Sequence, residues 1–462
     1  LTFPKKISVL VLAIALSACS ATDKPGNFDP DNKLNITLPS AWSEIPTSGD
    51  NQGHQSLGEL VDFALQHNQQ LKQQAYALAA DKLNISVAQS ELWPQITAGL
   101  TSQRRKSDNG TFSNESGLSF DIAYEIDLWG KLSAAEKNAT LSYLAAEQAF
   151  IQAKQTLAAE VIKSYLEIIQ AKQLLHLYEN RREAAKNNLL IVERGHRLGL
   201  NEALDVYLTR NEYTSEQSRV ATQESVVITA TRTFERLMGQ YPSGLVNFSR
   251  EIPMWLEEIR QVIPSDLIAQ KPSIQSAWLS LLASDANLAF SHKQRFPSLN
   301  ISASIGQSAP KVENLLDASS LAWSVLGGIT APVFNAGRLK ANEDIARLQL
   351  RQAEQAYVAE IYDAFTAVEN ALTLDASTKK TLTTALEAEF NAIEAETLSF
   401  EQYQKGLVSY ATVLVSQQRS LEAQSSVIQL KTQLASNRIE LMLALGGNQL
   451  PLTADAKLKP QR

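Results

Sequence analysis

The chain has 462 residues but only 19 Gly and 15 Pro, too little turn punctuation for many small domains, and its 44% hydrophobic and 20% charged content is that of a folded protein. A net charge of −7 argues against a nucleic-acid-binding surface over much of the molecule, and a single Cys excludes an internal disulfide and any Cys₄ or Cys₃His zinc site. Past the N-terminus no apolar run reaches the roughly 18 residues that a membrane-crossing helix needs.

Residues 1–18 read as a secretory leader: Lys5 and Lys6 form a positive region, Ile7 to Leu16 an apolar run too short to span a bilayer, and small residues follow. The string Leu16-Ser17-Ala18-Cys19 resembles the bacterial lipobox. That resemblance implies an acylated Cys19 as the mature N-terminus, and Ser20 after it implies sorting to the outer membrane. Two or three acyl chains anchor far more firmly than one. Residues 19–56, rich in Asp, Asn, Pro and Ser, then read as an extended tether.

The strongest signal is a duplication. An offset of 203 residues pairs Trp93-Pro94 with Phe296-Pro297 and Leu71 with Ile274. An offset of 207 then pairs Gly130 with Gly337, Gly199-Leu200 with Gly406-Leu407, and Leu237-Met238-Gly239 with Ala444-Leu445-Gly446. Repeat 1 is placed at 57–258 and repeat 2 at 259–450, followed by a tail at 451–462. Each repeat is expected to run helix, hairpin, very long helix, glycine turn, helix.

In the hairpins, 95–127 and 298–331, the period changes to two. Ile96, Ala98 and Leu100 alternate with polar or small residues, as do Leu118, Phe120, Ile122, Tyr124 and Ile126 on the return; Arg104 to Gly110 reads as a polar loop between them. Leu299, Ile301, Ala303 and Ile305, then Trp323, Val325 and Ile329, repeat the scheme. Strands of about ten residues have the length that a tilted transmembrane strand needs. A half-buried soluble hairpin fits the same alternation, but the acyl anchor and the duplication favour the membrane.

From Lys131 to Gly195 and from Arg338 to Gln404 no proline occurs and Ala, Leu, Glu, Gln and Lys dominate. Some 65 helical residues span about 100 Å, more than any single globular core. Val161, Ile168 and Leu175 repeat by seven beside a second stripe of Ile162 and Ile169. Adjacent narrow stripes suit a helix packed between two neighbours in a cylinder; a two-stranded coiled coil is the lesser reading. Shorter helices at 200–239 and 407–446 follow the glycine turns.

Taken together, the pattern resembles the TolC-like outer-membrane efflux family, and more closely its lipoprotein branch that works with resistance-nodulation-division pumps. The resemblance spans residues 57 to 447. It is carried by the string ending at Cys19, the paired Trp93-Pro94 and Phe296-Pro297, Asp127-Leu128-Trp129-Gly130-Lys131, Pro332-Val333-Phe334-Asn335-Ala336-Gly337-Arg338 and the twin Gly-Leu turns. It implies a mainly α fold with a membrane β-barrel: a homotrimer in which each chain gives four strands to a 12-stranded barrel above a long α-helical barrel in the periplasm. Counting alone requires an oligomer, because four strands cannot close and the smallest such barrels have about eight. Two, three or four chains satisfy closure; three comes from the resemblance.

The resemblance also assigns a functional end. The tip turns Leu198-Gly199-Leu200 and Lys405-Gly406-Leu407 would meet a periplasmic adaptor that links the channel to an inner-membrane pump. Each glycine also suits a left-handed helix end. Asp205 and Tyr403 match positions that hold inner and outer helices together at the gate. Three other family positions are absent, being Val408, Thr412 and Val415 here, so an acidic aperture is not expected and Leu204, Tyr410 or Val413 is left to close it by packing.

No Walker A string, Gly-x-Gly-x-x-Gly, Gly-x-Ser-x-Gly or His-Glu-x-x-His occurs, so neither an energy-coupling site nor an enzyme nor a cofactor is expected. The five His are scattered and read as surface or packing residues. The leading reading is a passive outer-membrane channel for small-molecule efflux. A conduit for protein secretion and a structural lipoprotein tethering membrane to cell wall are the alternatives.

Overall fold

In a computed structural model, residues 57–108, 110–245, 264–316 and 321–447 are described, all within one compact unit. The expected leader, Cys19, the tether and the tail lie outside the described residues.

Two short helices open the chain, α1 (Leu57–His67) and α2 (Gln69–Ser90). Asn68 separates them: its side-chain oxygen accepts from Leu71 N at 2.9 Å, capping α2, while its Nδ2 donates to Leu237 O at 2.9 Å. Strands β1 (Gln95–Lys106) and β2 (Phe112–Ile126) form the first hairpin. The chain then enters α3 (Lys131–Arg197), a helix of 67 residues. Its free N–H groups are met by Asp127, whose two oxygens accept from Leu132 N and Ser133 N at 2.9 Å each. Helix α4 (Ala203–Leu237) returns alongside it.

The second half repeats this order with α5 (Pro264–Gln270), α6 (Pro272–Lys293), β3 (Ser298–Ala309), a 3₁₀ turn (Val312–Leu316), β4 (Leu321–Thr330), α7 (Arg338–Gln404, again 67 residues) and α8 (Tyr410–Ala444). Helix α3 packs along α4, α2 and α6, and α7 packs along α8 and α6. The internal repeat is thus a repeat of structure.

The four strands make one antiparallel sheet in the order β1-β2-β3-β4, so among the described residues β1 and β4 each have a free edge. Pairing puts Ile96, Ile122, Ala303 and Val325 in one row, and Ala98, Phe120, Ile305 and Trp323 in the next row on the same face. The opposite face carries Thr97, Asp121, Ser304 and Ser324; Ser304 Oγ donates to Asp121 Oδ1 at 2.6 Å. One difference from the sequence reading concerns Arg104, Arg105 and Lys106. They belong to β1, paired with Asn114, Ser113 and Phe112, because a polar residue is tolerated in a strand that rises beyond the apolar band.

The largest core lies midway along the helices, where Val161, Ile162, Leu166 and Ile168 of α3 meet Val61 of α1, Phe234 of α4 and Ile439 of α8. The heptad stripes on α3 serve this core; Leu175 and Tyr178, at their far end, are only half-buried. Near the sheet, Glu343 of α7 is buried under Arg295 (2.6 Å), Arg347 (2.9 Å) and His292 (3.1 Å). The Arg295 hydrogen bond, above all, holds its carboxyl below the ordinary carboxylate value.

Closer to the far end, one side chain joins three helices. Arg181 of α3 bonds Glu396 of α7 through Nη1 and donates from Nη2 to the Gln417 carbonyl of α8 at 3.2 Å. On α4, Glu216 is buried with its Oε2 3.8 Å from Arg219 Nε, and burial pushes its carboxyl up. No periodicity or motif in the sequence marks Arg181 or Glu396. Removing one partner of a largely buried pair costs more than removing both, because the survivor keeps its desolvation penalty. Arg181→Met is expected to lower the unfolding free energy by about 2 kcal/mol, and Arg181→Met with Glu396→Leu to recover most of it, in denaturant titrations in detergent. An equal loss in the double variant would show that the lone Glu396 carries no desolvation penalty for its replacement to relieve.

Candidate functional site

Both long helices end in the same backbone device. In the first, Leu200 N donates to Gly195 O and Gly199 N to His196 O, each at 2.9 Å; in the second, Leu407 N donates to Gln402 O and Gly406 N to Tyr403 O, each at 2.9 Å. This is the paired-bond cap that requires a left-handed residue, and Gly199 (φ 75°) and Gly406 (φ 73°) supply it. After each glycine the chain runs extended, through Glu202 (ψ 153°) and Ser409 (ψ 156°), before the next helix starts. Helices α4 and α8 therefore begin three residues later than the expected starts at 200 and 407.

The side chains at these turns point outward. Leu198, Leu200 and Leu407 are 70, 77 and 70% exposed. Lys405 is exposed. Leu204 and Tyr207, on the first turn of α4, are exposed beside them. The first turn has an extra brace that the second lacks: Asn201 Nδ2 donates to Val192 O at 3.2 Å, and His196 Nδ1 lies 2.8 Å from Asn201 O. Asn201 fits because Gly195 has no side chain; a Cβ there would stand 2.3 Å from Asn201 Nδ2. The expected helix end at Gly195 thus falls within α3, and the glycine there provides clearance for Asn201.

Behind the turns the two repeats are joined. Tyr403 Oη donates to Asp205 Oδ2 at 3.0 Å, across 198 residues of sequence. Tyr403 is buried and packs edge-on against Tyr410, their ring centres 5.2 Å apart. Burial, and then the neighbouring Asp205 carboxylate, push the Tyr403 phenol well above its ordinary value, so it remains a donor across the physiological range. The pair sits on a small apolar core of Val192, Tyr403, Tyr410 and Val413. Tyr410 and Val413 are fully buried in this core, so neither is free to close an aperture. Of the three residues considered for that task, only Leu204 is exposed, at 61%. Thr412 and Val415, where an acidic aperture was not expected, are exposed and uncharged.

The arrangement holds two hairpin tips together and presents apolar side chains at their ends. Among the described residues no group of three His, Cys, Asp or Glu could hold a metal ion. No described helix is long and apolar enough to cross a membrane.

Comparison with known proteins agrees with this architecture. The family model for outer membrane efflux proteins matches residues 60–240 and again 263–447, one match per repeat. The solvent efflux pump outer membrane protein SrpC of Pseudomonas putida is 26% identical over 400 residues, covering 85% of each chain. The cation efflux system protein CusC of an Escherichia coli strain is 24% identical over 465 residues, covering 96% of this chain and 99% of its own. A crystal structure of CusC, solved in a study of transmembrane channel formation, superposes with a TM-score of 0.80 at 22% identity, covering 89% of this chain and all of the other. The chain belongs to the outer membrane efflux protein family.

Proposed function

We propose that three copies of this chain form a passive, water-filled conduit that carries small molecules from the periplasm to the exterior. A periplasmic adaptor and an inner-membrane pump would supply direction and energy. The carrying observation is the four-stranded sheet with free edges at β1 and β4 and one apolar face, attached to helices of about 100 Å. Helix α7 supports the oligomer as well: Ile345, Tyr362 and Phe390 are exposed along it, apolar surface that neighbouring copies would cover. The polar row through Thr97, Asp121, Ser304 and Ser324 would line the lumen.

Acylation of Cys19 would add an anchor to a chain whose strands already insert. Mass spectrometry of the mature N-terminal peptide is expected to find Cys19 diacylated or triacylated; an unmodified Cys19 would remove the anchor from this reading.

At the gate, Asp205 and Tyr403 would hold the tips in their closed arrangement. Losing one buried hydrogen bond costs about 1 kcal/mol, which shifts a two-state gate by roughly fivefold. Conductance in planar bilayers is therefore expected to rise several-fold for Asp205→Ala and Tyr403→Phe. Unchanged conductance in both variants would leave gating to other contacts.

The adaptor would bind the tip turns Leu198-Gly199-Leu200 and Lys405-Gly406-Leu407. No side chain would collide with a Cβ at Gly199 or Gly406, so an alanine there strains only the backbone, by about 1 kcal/mol, and assembly is expected to survive it. Leu200→Asp and Leu407→Asp would instead bury a charge in the docking contact. Crosslinking to the adaptor is expected to fall at least tenfold in variants confirmed as trimers, with loss of drug or solvent resistance. Normal crosslinking and resistance in both would mean that the turns are helix caps and nothing more.

A further inference from the structure

The apolar face of the sheet ends, on β1 and β2, in two cations and an aromatic ring. On β2 alternate residues upward from Ile126 are Tyr124, Ile122, Phe120 and Leu118; Ser116 follows, paired with Ser102, then Asn114, paired with Arg104, then Phe112, paired with Lys106. A strand rises about 3.3 Å per residue, so at a tilt of about 40° each of these rows adds about 5 Å of height. The apolar band of an outer-membrane barrel is about 25 Å tall. With Ile126 at its lower edge, Ser102 and Ser116 mark its upper edge. Arg104 and Lys106 then stand about 5 to 10 Å higher, at the level of lipid headgroups.

Both cations lie on the same face as Ile96 and Leu100, since all are even positions of one strand, while Arg105 between them belongs to the other face. Arg104 Cζ is 4.7 Å and Lys106 Nζ 5.7 Å from the centre of the Phe112 ring. Neither cation is in an ion pair among the described residues, whereas Lys311, just beyond β3, is paired with Glu313 at 3.3 Å. Two like charges gathered on one ring without a carboxylate repel each other, and an anion placed between them relieves that repulsion. At that height on a lipid-facing surface, the anion within reach is the phosphate of a lipid.

Resting on the reading of the sheet as membrane-spanning, we infer that Arg104, Lys106 and Phe112 form a binding site for the phosphate-bearing glycolipid of the outer leaflet. Arg104 grips the phosphate with its fork, Lys106 adds a second charge, and the Phe112 ring between them holds the two cations side by side at headgroup height.

The test uses the full chain, extracted as its oligomer from outer membranes in mild detergent, with bound lipid counted by native mass spectrometry. It is offered the phosphorylated glycolipid, the same glycolipid stripped of phosphate, phosphatidylglycerol, and inorganic phosphate as competitor. Retention of the phosphorylated glycolipid is expected, with about a tenfold loss both in Arg104→Gln/Lys106→Gln and on removal of the lipid's phosphate. Lys311→Gln is expected to retain it unchanged, and inorganic phosphate is expected not to displace it. Equal retention in the double variant, equal retention of the stripped glycolipid, or preference for phosphatidylglycerol would each overturn the assignment. Displacement by inorganic phosphate would overturn it too, by showing a simple anion site. Planar-bilayer conductance on the same samples separates the two readings. A wild-type chain that conducts but keeps no glycolipid refutes this site alone; one that neither inserts nor conducts refutes the channel.

Discussion

In hydrocarbon a backbone N–H or C=O without a partner has no water to turn to, and each one costs several kcal/mol. Among its described residues this chain puts four strands into a sheet with one apolar face, and both edges of that sheet are left unpaired. Much else follows from that constraint. The sheet must be completed by other copies, the copies must share an axis, and each chain's helices must then stand around the same axis. A lipoprotein that only tethered membrane to cell wall would need none of this, which is why the paired hairpins weigh more heavily for a conduit than the anchor does.

The duplication makes the two halves alike in backbone but not in their cross-links. At the offset of 207, Tyr403 corresponds to His196 and Asp205 to Thr412; Arg181 corresponds to Ala388 and Glu396 to Leu189. These two polar bonds between the repeats therefore exist once per chain, with no counterpart at the pseudo-equivalent positions. In a ring of copies, contacts between repeat 1 and repeat 2 alternate between those inside a chain and those between chains. Only the first kind carries the Asp205–Tyr403 and Arg181–Glu396 bonds. A tip that opened by parting copies would thus leave these bonds whole, while one that opened by unwinding within a copy would break both. The two motions differ in which variants should release them.

Sequence periodicity made the large elements legible because it reports burial on a repeating face. The strand alternation around Phe120 and the seven-residue spacing from Val161 both point at residues that are packed or lipid-facing. Arg104 to Lys106 escaped the same logic, since a strand above the apolar band has no apolar period left to show. Asp205 and Tyr403 are legible only through the resemblance, because their contact spans 198 residues, which no local pattern encodes. Arg181 and Glu396 had neither signal: in a helix rich in charged residues, a buried arginine reads like its solvated neighbours. Tyr410 and Val413 were legible as apolar but not as inward-facing, because near a helix start the face is set by the turn before it.

The position of the small tip core has a further consequence. The helices carry hydrogen bonds within themselves, so their length does not depend on continuous tertiary packing, and the buried side chains fall into separate clusters along them. Between the midway core around Ile162 and the tip core around Tyr410, the polar knot at Arg181 ties α3 to both α7 and α8. Along α3, α7 and α8 that knot stands between the tip and the midway core, and a charge pair with defined geometry yields less gradually than apolar contact. The tip can then rearrange as a unit of its own, with local stability below that of the whole chain. A partner that meets only Leu200 and Leu407 would have to overcome that local stability and no more.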